Sequence, residues 1–386
     1  MDDNLITSVV LKVFPEGTKV FLNGKASHAG SRFWMIPGKG GEPRWIFPDD
    51  PKHSTPFLKQ WRPYDFFSGI KWNCLLAAYR GKSLGFIPGV VPLHIAVPEK
   101  SDWQHLGWNH ASQPVPVIYV GTPGPSRKAV LGLIDTREKK VKSIGKVPLG
   151  PSAGLAINHE VYILNTLAKE KPGHAPRSLF IDRKNSFTLQ EFIPGVPTGR
   201  RLTEKHVEFL VDLVVPGETR TLQKVSADLA RQINVLSRID PEIRAILEST
   251  LLEADDPSPL PVVWEHGDFA PWNIKKITAG PLRAIDWEAS SRQGLPLFDL
   301  TYFRLIQAFL FHEREVFSRS DIRIFLQYMA SLGIPEELFA QLIICCLVKS
   351  WWHFYKQNNH PMAQYIFNLI MEKEKLLCSH DLSTLP

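Results

Sequence analysis

Asp268, Asn273 and Asp286 are the residues whose types and spacing suggest chemistry. They lie in two short runs, W-E-H-G-D-F-A-P-W-N-I at 264–274 and R-A-I-D-W-E at 283–288. A carboxylate can accept the proton of an attacking hydroxyl. An amide oxygen with a second carboxylate can hold Mg²⁺, a hard ion that prefers oxygen ligands and bridges phosphate oxygens. That combination suits phosphoryl transfer. A lone loop aspartate is better read as a solvated carboxylate, and it is the trio that lifts Asp268 out of that reading.

Two strands should position the trio. Residues 262–264 and 282–285 are short, β-prone and bounded by Pro or Gly. Asp268 and Asn273 then sit on the loop between the strands and Asp286 follows the second. Lys275-Lys276, Thr278 and Gly280-Pro281 read as turns.

His266, Asp268 and Asn273 together form H-x-D-x-x-x-x-N, which resembles the catalytic loop of kinases, and Ile285-Asp286-Trp287 stands where kinases carry a metal-binding Asp. The form H-G-D-F-A-P-W-N with I-D-W-E is similar to the aminoglycoside phosphotransferase and choline kinase branch, whose members phosphorylate small molecules. Protein kinases usually carry Arg where Gly267 stands. The resemblance covers roughly residues 110–380. It implies an α+β, bilobal protein-kinase-like fold, with a β-rich nucleotide lobe followed by a mostly helical lobe. It also implies ATP or GTP as donor, Mg²⁺ on Asn273 and Asp286, Asp268 as base, and His266 bracing the loop. P-x-x-D-L at 296–300 matches the family too and gives Asp299 a structural role beneath the catalytic loop. Glu288 reads equally as extra charge near the metal or as a hydrogen-bond acceptor.

The same resemblance assigns the nucleotide lobe. Strands should run over 115–120 and 129–134, joined by G-T-P-G-P-S at 121–126, with a third over 141–147. That loop is not G-x-G-x-x-G, and it reads either as a phosphate cover or as a tight turn. K-V-P-L-G-P-S at 146–152, followed by a helix over 153–168 carrying E-V-Y-I-L-N-T-L, resembles the family's lysine and helix glutamate. Lys146 is therefore paired with Glu160, with Lys142 in reserve. A hairpin over 178–192 ends in Q-E-F-I-P-G, where the backbone near Gln190, Glu191 and Phe192 should meet the adenine edge.

Composition bounds the rest. The chain has 386 residues, enough for more than one domain, with an ordinary soluble balance of 44% hydrophobic and 22% charged residues. A net charge of +6 fits an anionic ligand but is too small and too evenly spread for nucleic-acid binding. Cys74, Cys345, Cys346 and Cys378 lack metal-ligand spacing and point to a reducing, cytoplasmic home. The M-D-D-N start lacks a signal-peptide core, and no stretch of eighteen uninterrupted apolar residues predicts a membrane span.

Three regions are expected: 1–105 without assigned chemistry, 106–193 as the nucleotide lobe and 194–386 as the helical lobe. In the first, 9–14 and 19–22 read as strands and 66–80 as a helix with Phe67, Leu75, Leu76 and Tyr79 on one face. Trp34, Trp45, Trp61 and Trp72 read as core, with a binding platform as the other possibility. Lys39 in P-G-K-G-G is no phosphate loop. In the last region, Thr203 caps a helix carrying Val207, Leu210, Val211 and Val214. Further helices run over 222–237, from 241, and over 300–311, 319–332, 336–353 and 361–377. Trp351, Trp352 and Tyr355 pack the helical core or line an acceptor pocket.

Asp299 follows Asp286 by only thirteen positions, too few for the activation and peptide-docking segment of protein kinases. This favours a small hydroxyl acceptor such as a sugar, amino sugar or amino alcohol. The rival readings are a catalytically silent kinase-like scaffold and a protein or peptide kinase.

Overall fold

The computed structural model describes residues 3–22, 30–61, 63–99, 101–110, 112–236 and 238–373, and the chain divides into two compact units, 1–196 and 197–386.

The first unit is built on one nine-stranded antiparallel sheet. Its strands are β1 (Lys19–Leu22), β2 (Ser31–Pro37), β3 (Pro43–Pro48), β4 (Val91–Ala96), β5 (Pro114–Val120), β6 (Lys128–Asp135), β7 (Lys140–Pro148), β8 (Ser178–Asp182) and β9 (Phe187–Glu191). The order across the sheet is β1-β4-β2-β3-β5-β6-β7-β9-β8. Strand alternation sends neighbours to opposite faces. Phe33, Met35, Ile46, Ile118, Val120, Leu131 and Leu133 fill one core, and Trp34, Trp45, Phe47 and Val117 fill another.

The first core is closed by α1 (Asp3–Val13), where residues 9–14 were expected as a strand. β-branched content suggested strand, but Ile6, Val9, Val10 and Val13 repeat at helical spacing and are wholly buried on one stripe. Packing overrides propensity here.

The second core is closed by α2 (Pro51–Leu58) and α3 (Phe66–Arg80). Asp50 caps α2 and Pro51 opens it, a start signal that passed unread in the sequence. The expected face of α3 holds for Leu76 and Tyr79 but not for Phe67, which is 72% exposed. Trp45, Trp61, Trp72 and Tyr119 pack together as an aromatic core, with Trp45 and Trp61 edge-on at 5.0 Å. The helix α4 (Ala153–Glu170) lies along β7, β8 and β9.

The sheet has no break at residue 105. β3 and β5 pair through Trp45↔Tyr119 and Ile46↔Ile118, so strands from 1–105 and from 106–193 share one ladder. The sequence reading separated these stretches because the kinase-like pattern starts only near residue 110.

A two-residue strand, β10 (Val196–Pro197), spans the boundary between the units in sequence. The second unit's helices are α5 (Glu204–Val211), α6 (Leu222–Asn234), α7 (Pro241–Leu252), α8 (Phe298–Phe311), α9 (Arg319–Ser331), α10 (Phe339–Lys356) and α11 (His360–Met371). Thr203 and His206 form a reciprocal cap at the start of α5. Val214, expected on that helix, instead opens β11 (Val214–Thr221), which pairs with β12 (Pro259–Glu265), itself paired with β15 (Ser291–Gly294). Lys275 and Lys276, expected in a turn, belong to β13 (Ile274–Lys276), hydrogen-bonded to β14 (Leu282–Ala284). Residues 374–377, expected to extend the last helix, and Cys378 lie outside the described residues.

One stretch, Glu336–Lys356, is long and apolar enough to cross a membrane by length and composition, and two-thirds of it is buried inside the fold. α10 packs on α6, α7, α8 and α11, with Trp351 buried.

Candidate active site

The 266–273 loop is held by side-chain acceptors on its backbone N–H groups. Asp299, at the start of α8, accepts the His266 N–H at 2.8 Å and the Gly267 N–H at 3.0 Å, one on each carboxylate oxygen. Burial and the neighbouring Glu265 carboxylate push Asp299 upward, while those two N–H groups and Lys349 pull it back. Gly267 has φ +79°, and a Cβ there would lie 2.2 Å from the Ala289 carbonyl oxygen. A side chain at 267 is excluded by the backbone of the 287–289 turn.

His266 is wholly buried. Its Nδ1 accepts the Asp268 N–H at 3.2 Å and its Nε2 donates to the Ile285 carbonyl at 3.0 Å, so the ring ties the loop to the chain beside Asp286. Both ring nitrogens are committed to backbone, which suits a brace and not a base.

Asp268 keeps partial exposure as a residue, yet its carboxyl is enclosed. Its Oδ2 accepts from Asn273 Nδ2 at 2.9 Å and its Oδ1 from the Tyr302 hydroxyl at 2.9 Å. Loss of water, then the charges of Asp286 and Glu288, push it up to about 7, against the pull of the Tyr302 and Asn273 hydrogen bonds.

Asn273 is fixed twice more. Its Nδ2 donates to the Asp268 carbonyl at 3.0 Å, and its own carbonyl accepts the Ile285 N–H at 2.8 Å. The β13–β14 register, Ile274↔Ala284, places Asn273 opposite Ile285 and brings Asp286 alongside. Asp286 itself has φ +68°, the left-handed region that costs a non-glycine residue, and strain of this kind concentrates at functional sites.

With Nδ2 committed, Asn273 has its Oδ1 left as a donor atom, and Asp286 supplies carboxylate oxygens: an all-oxygen pair of the type a hard cation takes. Among the described residues no group of three or more His, Cys, Asp or Glu is arranged as a metal site. Mg²⁺ usually keeps several waters and binds through one or two protein oxygens plus phosphate, so two ligands fit it.

In the first unit, Lys146 on β7 donates to both Glu160 oxygens at 2.6 Å, and Gln190 Nε2 donates to Glu160 Oε2 at 2.8 Å. Glu160 is wholly buried on α4 and Lys146 is 4% exposed. Lys142 instead pairs with Glu138 at the surface.

Gln190 and Glu191, expected near the adenine edge, lie on β9. β9 lies between β7 and β8, with Ile144↔Gln190 and Ser178↔Gln190 in register, and Glu191 donates its N–H to Arg177. Gln190 and Glu191 therefore spend backbone groups on the sheet, and Phe192 is the first residue past the strand.

The 121–127 loop is a closed turn. Gly121 N–H bonds Lys128 and Arg127 N–H bonds Gly124, while the loop carbonyls of Pro125 and Arg127 accept from Ser152, Leu149 and Gly150.

No protein-family model matches the sequence, and no curated protein matches it. Solved structures do. The chain is similar to small-molecule phosphotransferases. The GDP and kanamycin complex of APH(2'')-IIia is 14% identical, with 70% of this chain and 96% of that one covered at a TM-score of 0.46. Choline kinase LicA from Streptococcus pneumoniae is 18% identical, with 64% and 88% covered at 0.45. The Plasmodium vivax ethanolamine kinase is 19% identical, with 68% and 81% covered at 0.42.

Sequence reasoning missed two partners of the loop. Tyr302, four residues before Ile306 on α8, meets Asp268, and it stacks on Phe354 with ring planes 14° apart. Lys349 on α10 reaches Glu265 at 2.6 Å, which also accepts from Leu295 N–H. Tyr302 follows Asp299 by three residues, one helical turn, and that spacing could have flagged it.

Proposed function

We propose that this protein transfers the terminal phosphate of ATP or GTP to a hydroxyl of a small molecule such as a sugar, amino sugar or amino alcohol. The observation that carries this reading is the Asp268 carboxylate, held by Asn273 and Tyr302 and close enough to Asp286 to feel its charge. Its pKa of about 7 is that of a group able to take a proton near neutral pH.

Asp268 orients the acceptor hydroxyl and takes its proton as the oxygen attacks phosphorus. Asn273 Oδ1 and Asp286 would hold Mg²⁺, which when bound neutralises charge on the phosphate oxygens. Lys146, fixed by Glu160, steadies the nucleotide phosphates. His266 and Asp299 hold the loop so that Asp268 arrives already oriented, and positioning carries much of the rate in phosphoryl transfer.

A panel of hydroxylated metabolites, assayed for acceptor-stimulated ATP and GTP consumption with the phosphorylated product identified by mass, tests the proposal. Nucleotide binding without turnover on any acceptor would turn the reading toward a silent scaffold.

Tyr302→Phe gives a finer check. The hydroxyl pulls Asp268 down, so its removal lets the pKa climb. The acidic limb of the kcat/KM–pH profile should move to higher pH, with activity at pH 6 falling more than at pH 8.5. A profile that drops uniformly would mean that Tyr302 only packs.

A further inference from the structure

The first unit holds a cavity of about 1140 Å³ that lies among β2, α2 and the end of α3, apart from Lys146 and Glu160. This is room for more than an inorganic ion, since small-molecule sites are commonly roughly 300–1,000 Å³. We propose that it binds a phosphorylated organic small molecule carrying several negative charges.

Its charge is one-sided. Arg32, Lys52, Lys59, Arg80 and Lys82 line it, against two carboxylates, Asp49 and Asp50. Both carboxylates are already committed within the fold. Asp49 accepts the Trp34 indole N–H at 2.5 Å. Asp50 caps α2 by accepting the Lys52 N–H at 2.9 Å, and its other oxygen lies 3.5 Å from His53. Among the described residues, no carboxylate pairs with the five cations, and Arg32 lies instead over the Trp34 ring at 4.4 Å.

Five cations against two carboxylates leave an excess of positive charge, which favours a polyanion that neutralises several at once. The floor is apolar, with buried Phe33 and the rings of Pro48 and Pro56, which suits an organic body beneath the charged groups. The walls are firm as well. Tyr79, wholly buried behind Arg80, donates to the Pro48 carbonyl at 2.5 Å, and Ser54 of α2 bonds the same hydroxyl. Two of the cation-bearing elements, α2 and α3, are thereby tied to each other and to the end of β3. With Asp49 and Asp50 counted against the five cations, the excess is still more than a single carboxylate neutralises, which favours phosphate.

Inorganic tripolyphosphate is the probe, titrated calorimetrically into the full chain, with citrate as the carboxylate arm. Tripolyphosphate should bind, more weakly as salt rises. In Lys59→Gln/Arg80→Gln, both surface substitutions, the affinity should fall by at least about tenfold, the scale of one charge-assisted hydrogen bond. Hydrogen exchange should slow in 51–59 and 79–84. Absence of binding, equal affinity in the double variant, or protection confined to residues around Lys146 would each overturn the proposal. Citrate binding as tightly as tripolyphosphate would overturn the phosphate assignment.

Discussion

Asp268→Asn is expected to lower turnover by at least about 10²-fold, the lower end of what general-base assistance supplies, with nucleotide affinity nearly unchanged. The amide cannot take the hydroxyl proton, whereas the nucleotide contacts proposed for Lys146, Asn273 and Asp286 remain. Single-turnover rates with a working acceptor, set beside nucleotide affinity, separate the two effects. Comparable turnover would sink the base assignment.

The same substitution has a second, opposite consequence for stability. The folded pKa of Asp268 is raised above its unfolded value, so the folded state binds the proton more tightly. Below about pH 4 both states are protonated and the group costs nothing. Between about 4 and 7 the cost of an ionised, enclosed carboxyl builds, and above about 7 it is complete. The melting temperature of Asp268→Asn relative to the parent should therefore rise across that window and then level off. A flat difference would mean that Asp268 titrates as an ordinary exposed carboxyl.

The second large effect is on Lys146. Replacing it with Met removes the cation that faces buried Glu160, and breaking one side of a buried ion pair costs about 3–5 kcal/mol. Lys146→Met/Glu160→Leu should recover much of that loss, because an apolar pair avoids a buried carboxylate deprived of its cation, though the Gln190 amide then loses its bond to Glu160 at a residual cost of about 1–3 kcal/mol. Urea unfolding of the three proteins measures both steps. A single variant within about 1 kcal/mol of the parent would mean that the pair is screened like a surface bridge.

The candidate site around Asp268 was readable because its parts are close in sequence and each residue type is needed for a stated chemical reason. Asp268, Asn273 and Asp286 meet through a short hairpin, and Lys146 and Glu160 meet across one strand–helix connection. Those are local devices. Tyr302 and Lys349 reach Asp268 and Glu265 from helices 34 and 84 residues away; the one-turn spacing from Asp299 is the sole local hint of the first, and no local pattern marks the second. The first hundred residues were opaque for a different reason. Valines on α1 carry strand propensity, and only the sheet beneath them decides for helix. The placement of β3 against β5 likewise depends on a pairing across more than seventy positions.

That pairing has a consequence for how this protein could have arisen and how it can be cut. A chain begun at residue 106 would bare the flank of β5, whose Val117, Ile118 and Val120 are buried here, and would strip the aromatic packing from Tyr119. An unpaired, apolar strand flank is a template for association with other chains. The leading hundred residues are thus no detachable appendage: any ancestor that lacked them must have protected that flank by other means, and any shortened version must be given a substitute for it.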